Sequence, residues 1–176
     1  MPQTLIALIA IVVFSILALQ QHETSTETEE FAITAEVEQA ATRLARQRLA
    51  TIVSATFDEA DVGVTRTRTG TANLTLSADF GPDDPVMEEV GEASYDDVDD
   101  YHLSVTSDVR APWRGMEIVF SDAVHVEYVD LGTLASSASP TLAKSVTVFV
   151  SAAPEGFIGQ PEIAVTLRQI VTPTLN

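Results

Sequence analysis

The sequence predicts an α+β protein in which a long N-terminal helix, apolar at first and then amphipathic, packs on a C-terminal antiparallel β-sheet. Two changes of pattern predict this fold. An apolar run lies near the start of the chain, apolar residues then recur at every third or fourth position, and after that apolar and polar residues alternate with period two. We expect three parts: a hydrophobic membrane or bundle helix at residues 1–22, an amphipathic helix at 23–60, and an extracytoplasmic β domain at 61–176 with an acidic loop at 81–100.

The apolar run covers residues 5–19 and reads LIALIAIVVFSILAL, in which only Ser15 is polar. Such a helix spans about 22 Å, short of the roughly 30 Å hydrocarbon core of a bilayer. A signal peptide, a buried core helix and a membrane helix that can pass into a bundle of its own copies are the three interpretations. No basic residue precedes the run and no Ala-x-Ala pattern follows it, which disfavours a signal peptide. A core helix that is apolar on every side would need protein all round it.

We therefore favour the membrane or bundle helix. Its predicted assembly contacts are Leu5, Ile6, Leu8, Ile9, Ile11, Val12, Val13, Phe14, Ile16, Leu17 and Leu19. The charges beside the run predict its orientation, since acidic residues follow it and the first basic side chain is Arg43. With the amino terminus as the only nearby positive group, the arrangement with the N-terminus in the cytoplasm is favoured. We expect a membrane-anchored chain with an extracytoplasmic domain, which later reaches the cell surface.

The second helical segment, residues 31–57, contains no Gly or Pro and is rich in strong helix formers. Thr26 followed by Glu29 fits a capping box, and we expect either continuity or a mild break between this helix and the apolar run. An apolar stripe at helical spacing predicts one face to bury. The stripe consists of Val37, Ala41, Leu44, Ala45, Leu49 and Ile52.

Charges along this helix are sorted, with acidic residues first and arginines last. That order complements the helix dipole. It also permits parallel copies, offset by two or three turns, to place the acidic stretch of one beside the arginines of the next. A solvated charged face is the alternative. The candidate inter-subunit charges are Glu36, Glu38, Arg43, Arg46 and Arg48.

Six later segments alternate or are rich in β-forming residues, which predicts five or six antiparallel strands. They are residues 71–79, 102–107, 116–120, 124–129, 145–150 and 163–167. We expect the apolar stripe of the amphipathic helix to cover the apolar face of this sheet.

The composition is strongly acidic, with 26 Asp and Glu against 9 Lys and Arg and a formal net charge of −17. This charge repels a phosphate backbone, so we expect no nucleic-acid partner. Excess carboxylate with a single lysine, Lys144, is typical of a protein that stays soluble in concentrated salt. An ordinary acidic extracellular domain is the alternative.

Motifs for catalysis and for cofactors are missing from the sequence. His22, His102 and His125 have no metal-ligand spacing, and the chain contains no cysteine, nucleophile elbow, P-loop or dinucleotide motif. We therefore expect neither enzymatic activity nor a cofactor. The acidic loop lacks the glycine and terminal glutamate of an EF-hand, which favours a solvated loop, with Ca²⁺ bound at its Asp96–Asp100 part as the alternative.

The order of an apolar helix, an amphipathic helix and an antiparallel sheet resembles the type IV pilin and pseudopilin family. Residues 4–8, Thr-Leu-Ile-Ala-Leu, are similar to the Thr-Leu-Ile-Glu-Leu opening of mature pilins. Residues 97–102, 124–129 and 144–150 resemble segments of minor-pilin-like proteins of the mannose-sensitive-haemagglutinin kind. The resemblance implies a non-enzymatic subunit of a pilus-like filament or pseudopilus. Its implied partners are copies of itself, the membrane before assembly, and the inner-membrane assembly machinery.

Two departures from the family pattern affect processing and assembly. Pro2 stands where the family has Gly before its processing site, and Gln3 stands where the mature chain would begin with an N-methylated Phe. Ala7 replaces the glutamate that pairs with a neighbouring subunit's amino terminus. The resemblance thus marks Pro2 and Gln3 as the candidate processing site, disfavours cleavage there, and leaves hydrophobic packing to guide assembly. The alternative function is a single-pass anchored binding or accessory domain that does not polymerise.

Overall fold

The computed structural model describes residues 2–63, 68, 70–82, 91–113, 116–152 and 163–173, with only the backbone at residues 2, 4–7, 113 and 116. The predicted α+β architecture is confirmed: the chain has a long N-terminal helix and a four-stranded antiparallel sheet, and the helix residues after Gln39 belong to the same compact unit as the sheet. The helix and strands are α1 (Pro2–Val53), β1 (Val105–Trp113), β2 (Met116–Tyr128), β3 (Lys144–Ala152) and β4 (Ile163–Val171). The chain divides into two compact units, Met1–Gln39 and Ala40–Asn176.

In the first unit, α1 continues without interruption through the Thr-rich stretch after the apolar run. The expected continuity is confirmed, but the predicted capping box at Thr26 is wrong. Thr26 lies inside the helix, and its hydroxyl donates to the carbonyl of His22 at 3.0 Å. Thr24 and Thr28 make the same bond to the residue four positions earlier. A capping side chain accepts from the free N–H groups at the start of a helix. Because the residues before Thr26 are already helical, no such N–H groups are free there, and the Thr26 hydroxyl donates to a carbonyl of the preceding turn.

In the second unit, the predicted stripe is buried except at Leu44, which is half-buried. Ala41, Ala45 and Ile52 are fully buried, and Leu49 is 8% exposed. The small side chains of Ala41 and Ala45 let the helix approach its neighbours closely, while Ile52 fills the space near the end of the helix. The helix ends at Val53, four residues before the predicted end at residue 57.

The sheet is a meander in which each strand pairs with the next in the order β1-β2-β3-β4. Two predicted strands, 116–120 and 124–129, form the single strand β2, because residues between them continue the ladder with β3, as in the pair Asp122 and Val150. The predicted strand at 71–79 is wrong, since these residues form turns and Asn73 has φ of 61°. This left-handed conformation breaks the extended backbone that a strand needs. Among the described residues there are four strands, fewer than predicted.

One face of β2 and β3 forms the core of the second unit. Alternate residues of the two strands are buried and lie opposite one another, as in the pairs of Val124 with Val148 and Val126 with Val146. The same face includes Asp122 and, at the start of β3, Lys144.

Truncation of Ile52 tests the packing of the helix in this core. We expect Ile52→Ala to lower the free energy of unfolding by about 2–5 kcal/mol, because it opens a cavity at a fully buried position. Urea denaturation of the detergent-solubilised full chain, followed by tryptophan fluorescence, measures the change. Leu131→Ala, at a side chain 57% exposed, is the matched control, with an expected change within about 0.5 kcal/mol. Equal effects in the two variants would contradict the packing of Ile52 in the core.

Candidate assembly interface

The candidate interface is the apolar part of α1. Each of nine large apolar side chains there is 50–75% exposed. They are Leu8, Ile9, Ile11, Val12, Val13, Phe14, Ile16, Leu17 and Leu19. Leu5 and Ile6 lie in the same helix, but their side chains are outside the described residues, as is that of Pro2. Gln3 is exposed.

This segment is long and apolar enough to anchor in a membrane. Among the described residues, the helix Leu8–Val53 contains an 18-residue window with mean hydropathy of 1.3, none of it buried. Side chains at Ala10 and Ala18 are also exposed, and such small residues permit close approach of another helix. The single polar residue of the run, Ser15, is satisfied within the helix because its hydroxyl donates to the carbonyl of Ile11 at 2.9 Å.

The candidate inter-subunit charges occupy different environments. Glu36, Glu38, Arg43 and Arg46 are exposed. Arg48 instead pairs within its own chain, in direct contact with Glu92 and 3.5 Å from Asp122 of β2. Burial would raise the pKa of Glu92, but the hydrogen bond and charge of Arg48 bring it below its ordinary value. Arg48 therefore joins the helix to the sheet domain and is not available as an inter-subunit charge.

The acidic segment at residues 96–100 binds its own backbone. One carboxylate oxygen of Asp97 accepts hydrogen bonds from the N–H groups of Asp99 and Asp100, at 2.8 and 3.1 Å. One oxygen of Asp100 accepts from the N–H groups of Asp96 and Asp97, at 3.1 and 3.2 Å. The expected solvated loop is wrong for this part, because Asp97, Asp99 and Asp100 are buried and shape a tight turn. Residues 83–90 of the predicted loop lie outside the described residues.

The alternative of a calcium site stays a prediction. Within the described ranges, no group of three or more Asp, Glu, His or Cys side chains has an arrangement that could hold a metal ion. The carboxylate oxygens named above are instead engaged by backbone N–H groups.

Sequence reasoning missed a buried ionic cluster, which we call the Lys144 cluster: Asp58, Asp97, Asp99, Tyr128 and Lys144. Lys144 and Tyr128 are cross-strand neighbours on the buried face of the sheet. The Lys144 ammonium donates to Asp58 at 3.1 Å, to Asp99, and to the carbonyl of Phe57 at 2.6 Å. The position of Lys144 in the alternating pattern with Val146, Val148 and Val150 was the signal in the sequence, since that register places it on the apolar face.

Short backbone contacts bring the acidic residues of the Lys144 cluster together. Thr56, just after α1, forms a bridge to the acidic segment: its N–H donates to Asp96 and its carbonyl accepts from Val98, both at 3.0 Å. This pairing brings Asp58 and Asp99 near each other, and the Lys144 amine contacts both. Asp58 is also held by the N–H of Thr75 at 3.1 Å and the hydroxyl of Tyr128 at 3.3 Å.

Burial raises the pKa of two carboxyl groups of the Lys144 cluster, Asp97 and Asp99. Burial, together with the charges of Asp99 and Asp100, raises the pKa of Asp97 to about 9. Burial also raises the pKa of Asp99, against the opposing charge of Lys144. Asp97 is therefore a neutral carboxylic acid at pH 7.

No protein-family model, curated protein or solved structure matches this chain. Functional proposals therefore rest on its own residues and contacts.

A neutral Asp97 has a consequence for stability. Its pKa is higher in the folded chain than the 3.8 of a free carboxyl, so the folded state holds a proton that the unfolded state loses. Its contribution is fully present below pH 3.8 and is lost as the pH rises to about 9. Asp97→Asn keeps an oxygen that can accept the two backbone N–H groups and has no proton to lose. We expect urea midpoints of the variant to fall less between pH 4 and pH 9 than those of the wild type.

The exposed neighbour provides the control for this measurement. Asp96→Asn should retain the wild-type dependence of the urea midpoint on pH. Identical pH profiles for the wild type and Asp97→Asn would show that Asp97 does not carry the proton.

Proposed function

We propose that this chain is a structural subunit of a pilus-like extracellular filament or pseudopilus that assembles through the apolar part of α1. The observation that supports the proposal is the exposure of nine large apolar side chains on all sides of one helix. Full burial of each such side chain is worth about 1.5–3 kcal/mol. Water is therefore not the environment in which this helix is stable, and a membrane followed by a bundle of identical helices supplies two apolar environments in succession.

The subunit is stored in the membrane by the apolar part of α1 and is then extracted into the bundle by inner-membrane machinery. An apolar run of about 22 Å is shorter than the bilayer core, which lowers the cost of leaving the bilayer. The sheet domain remains outside the cytoplasm and forms the outer surface of the filament. Pro2 stays attached if cleavage before Gln3 does not occur.

Exposed charges support a defined offset between neighbouring helices. Glu36 precedes Arg43 by seven residues, and Glu38 precedes Arg46 by eight. These separations correspond to about two helical turns, or roughly 11 Å along the axis. Parallel copies offset by that distance place opposite charges side by side.

Disulfide crosslinking tests the bundle directly, because the native chain contains no cysteine. A double variant with Ile9→Cys and Ile16→Cys has thiols two turns apart, at side chains that are 53% and 51% exposed. Mild oxidation of cells of the native host should give a ladder of multimers on a non-reducing gel, since each subunit can bond to a neighbour above and below. For an offset of three turns, Leu8→Cys with Leu19→Cys should give the ladder instead.

The single variant Ile9→Cys is the matched control and can form no species larger than a dimer. Absence of a ladder from both double variants, with the protein present in the membrane, would contradict the filament and favour the anchored monomeric domain.

Charge reversal tests the offset. We expect Arg43→Glu with Arg46→Glu to reduce the amount of filament in sheared surface material at least several-fold, because like charges then face each other between subunits. Adding Glu36→Arg and Glu38→Arg to the same chain should restore assembly. If the reversed chain assembles normally, or if the fourfold variant is no better than the double variant, these charges do not set the offset.

The alternative, a membrane-anchored accessory domain, is favoured by one observation. The second unit, Ala40–Asn176, is compact and has its own core, so its fold does not need a polymer. Removal of residues 1–30 distinguishes the two functions. An accessory domain retains the binding of its partner or ligand, whereas a filament subunit loses assembly.

A further inference from the structure

The Lys144 cluster brings an amine and a carboxyl group into contact inside the protein. Lys144 and Asp58 are fully buried, Asp97 is 1% exposed and Asp99 is 2% exposed. The amine lies 4.7 Å from the ring centre of Phe57, 5.2 Å from that of Phe80 and 5.4 Å from that of Tyr128. Aromatic rings and backbone thus enclose the pair, and bulk water has no access to it.

The groups around this pair match the requirements of amide formation. Asp58 contacts the Lys144 nitrogen at 3.1 Å and can accept its proton. Asp97 lies beside Asp99, since its carboxyl accepts a hydrogen bond from the backbone N–H of Asp99 at 2.8 Å. Burial raises the pKa of Asp97, and a protonated Asp97 can donate a proton toward the Asp99 carboxyl and make its carbon more electrophilic. Tyr128 and the N–H of Thr75 hold Asp58 in place. Intramolecular reactions in such fixed geometries reach effective molarities of about 10⁵–10⁸ M.

We propose that Lys144 and Asp99 condense to an intramolecular amide bond, a covalent crosslink between β3 and the short turn before β1. Asp58 takes one proton from the ammonium, and the lone pair of the free amine attacks the carboxyl carbon of Asp99. The new C–N bond forms, the nitrogen gives up a second proton, one C–O bond breaks, and the oxygen leaves as water with these two protons, relayed through Asp58 and Asp97. An ammonium and a carboxylate become a neutral amide and one water, so charge and atoms balance without an oxidant or a co-reactant.

The crosslink would remove a buried ion pair, whose desolvation is costly. It would also join residues 45 positions apart in the sequence, in a chain that has no cysteine and hence no disulfide. Closing a long loop in the unfolded chain stabilises the folded state, by the same physics as a disulfide. The crosslink does not depend on filament assembly, because Asp99 and Lys144 both lie in the second unit.

Tryptic mass spectrometry of the full chain, purified in detergent and denatured, tests the proposal. Lys144 is the only lysine, and trypsin does not cleave after an acylated lysine. We expect a branched species that joins residues 69–110 to residues 115–168, lighter than the sum of the two peptides by the mass of one water. Fragmentation should locate the branch at Asp99 and Lys144.

Lys144→Met is the control and should give the two peptides separately. Cleavage after Lys144 in the wild type, with residues 69–110 recovered at their full mass, would overturn the proposal and leave the pair as an ion pair. A loss of water mapped to any other residues would overturn it equally. Because the decisive observation is made on the wild type, a variant that fails to fold does not affect the conclusion.

Discussion

The apolar part of α1 and the acidic remainder of the chain require opposite environments, and this constraint determines how the protein is built. The helix is continuous from Pro2 to Val53, so one element carries both requirements. Its apolar residues are exposed and gain free energy only outside water. The second unit therefore has to complete its own core with the helix residues that follow Gln39.

The second unit meets this requirement with one helix face and one sheet face, joined by ionic contacts. Ala41, Ala45 and Ile52 supply the helix side of the core. Arg48 connects the same helix to Asp122 in the middle of β2. At the end of the helix, the Lys144 cluster joins three segments that are distant in sequence. Because a buried charge without its partner is strongly destabilising, this cluster specifies how the segments after α1 fit against β3.

The sequence predicted those parts of the fold in which the pattern is long and local. Apolar spacing at three and four residues identified the buried helix stripe, and alternation identified most of the sheet. Alternation predicted a strand incorrectly at residues 71–79, because Asn73 has a left-handed backbone conformation that a strand does not accommodate. The capping box predicted at Thr26 was also wrong, because a threonine hydroxyl can be bonded equally well inside a helix, here by donating to the carbonyl of His22.

The candidate sites show the same limit. A continuous apolar run is visible in the sequence because it depends on neighbouring residues alone. The Lys144 cluster depends on contacts between positions 58, 99 and 144, and only its lysine shows a local signal, a charged residue in the buried register of a strand. Arg48 likewise differs from Arg43 and Arg46 only through Glu92 and Asp122, which are distant in sequence.

We propose that the apolar part of α1 ends in a polymer of like helices. Electron cryomicroscopy of material sheared from cells of the native host tests it most directly. We expect filaments whose reconstruction contains parallel copies of α1 at the axis and the sheet domain at the surface. Recovery of the protein solely as dispersed subunits in the membrane, with no filament that contains it, would contradict assembly through α1.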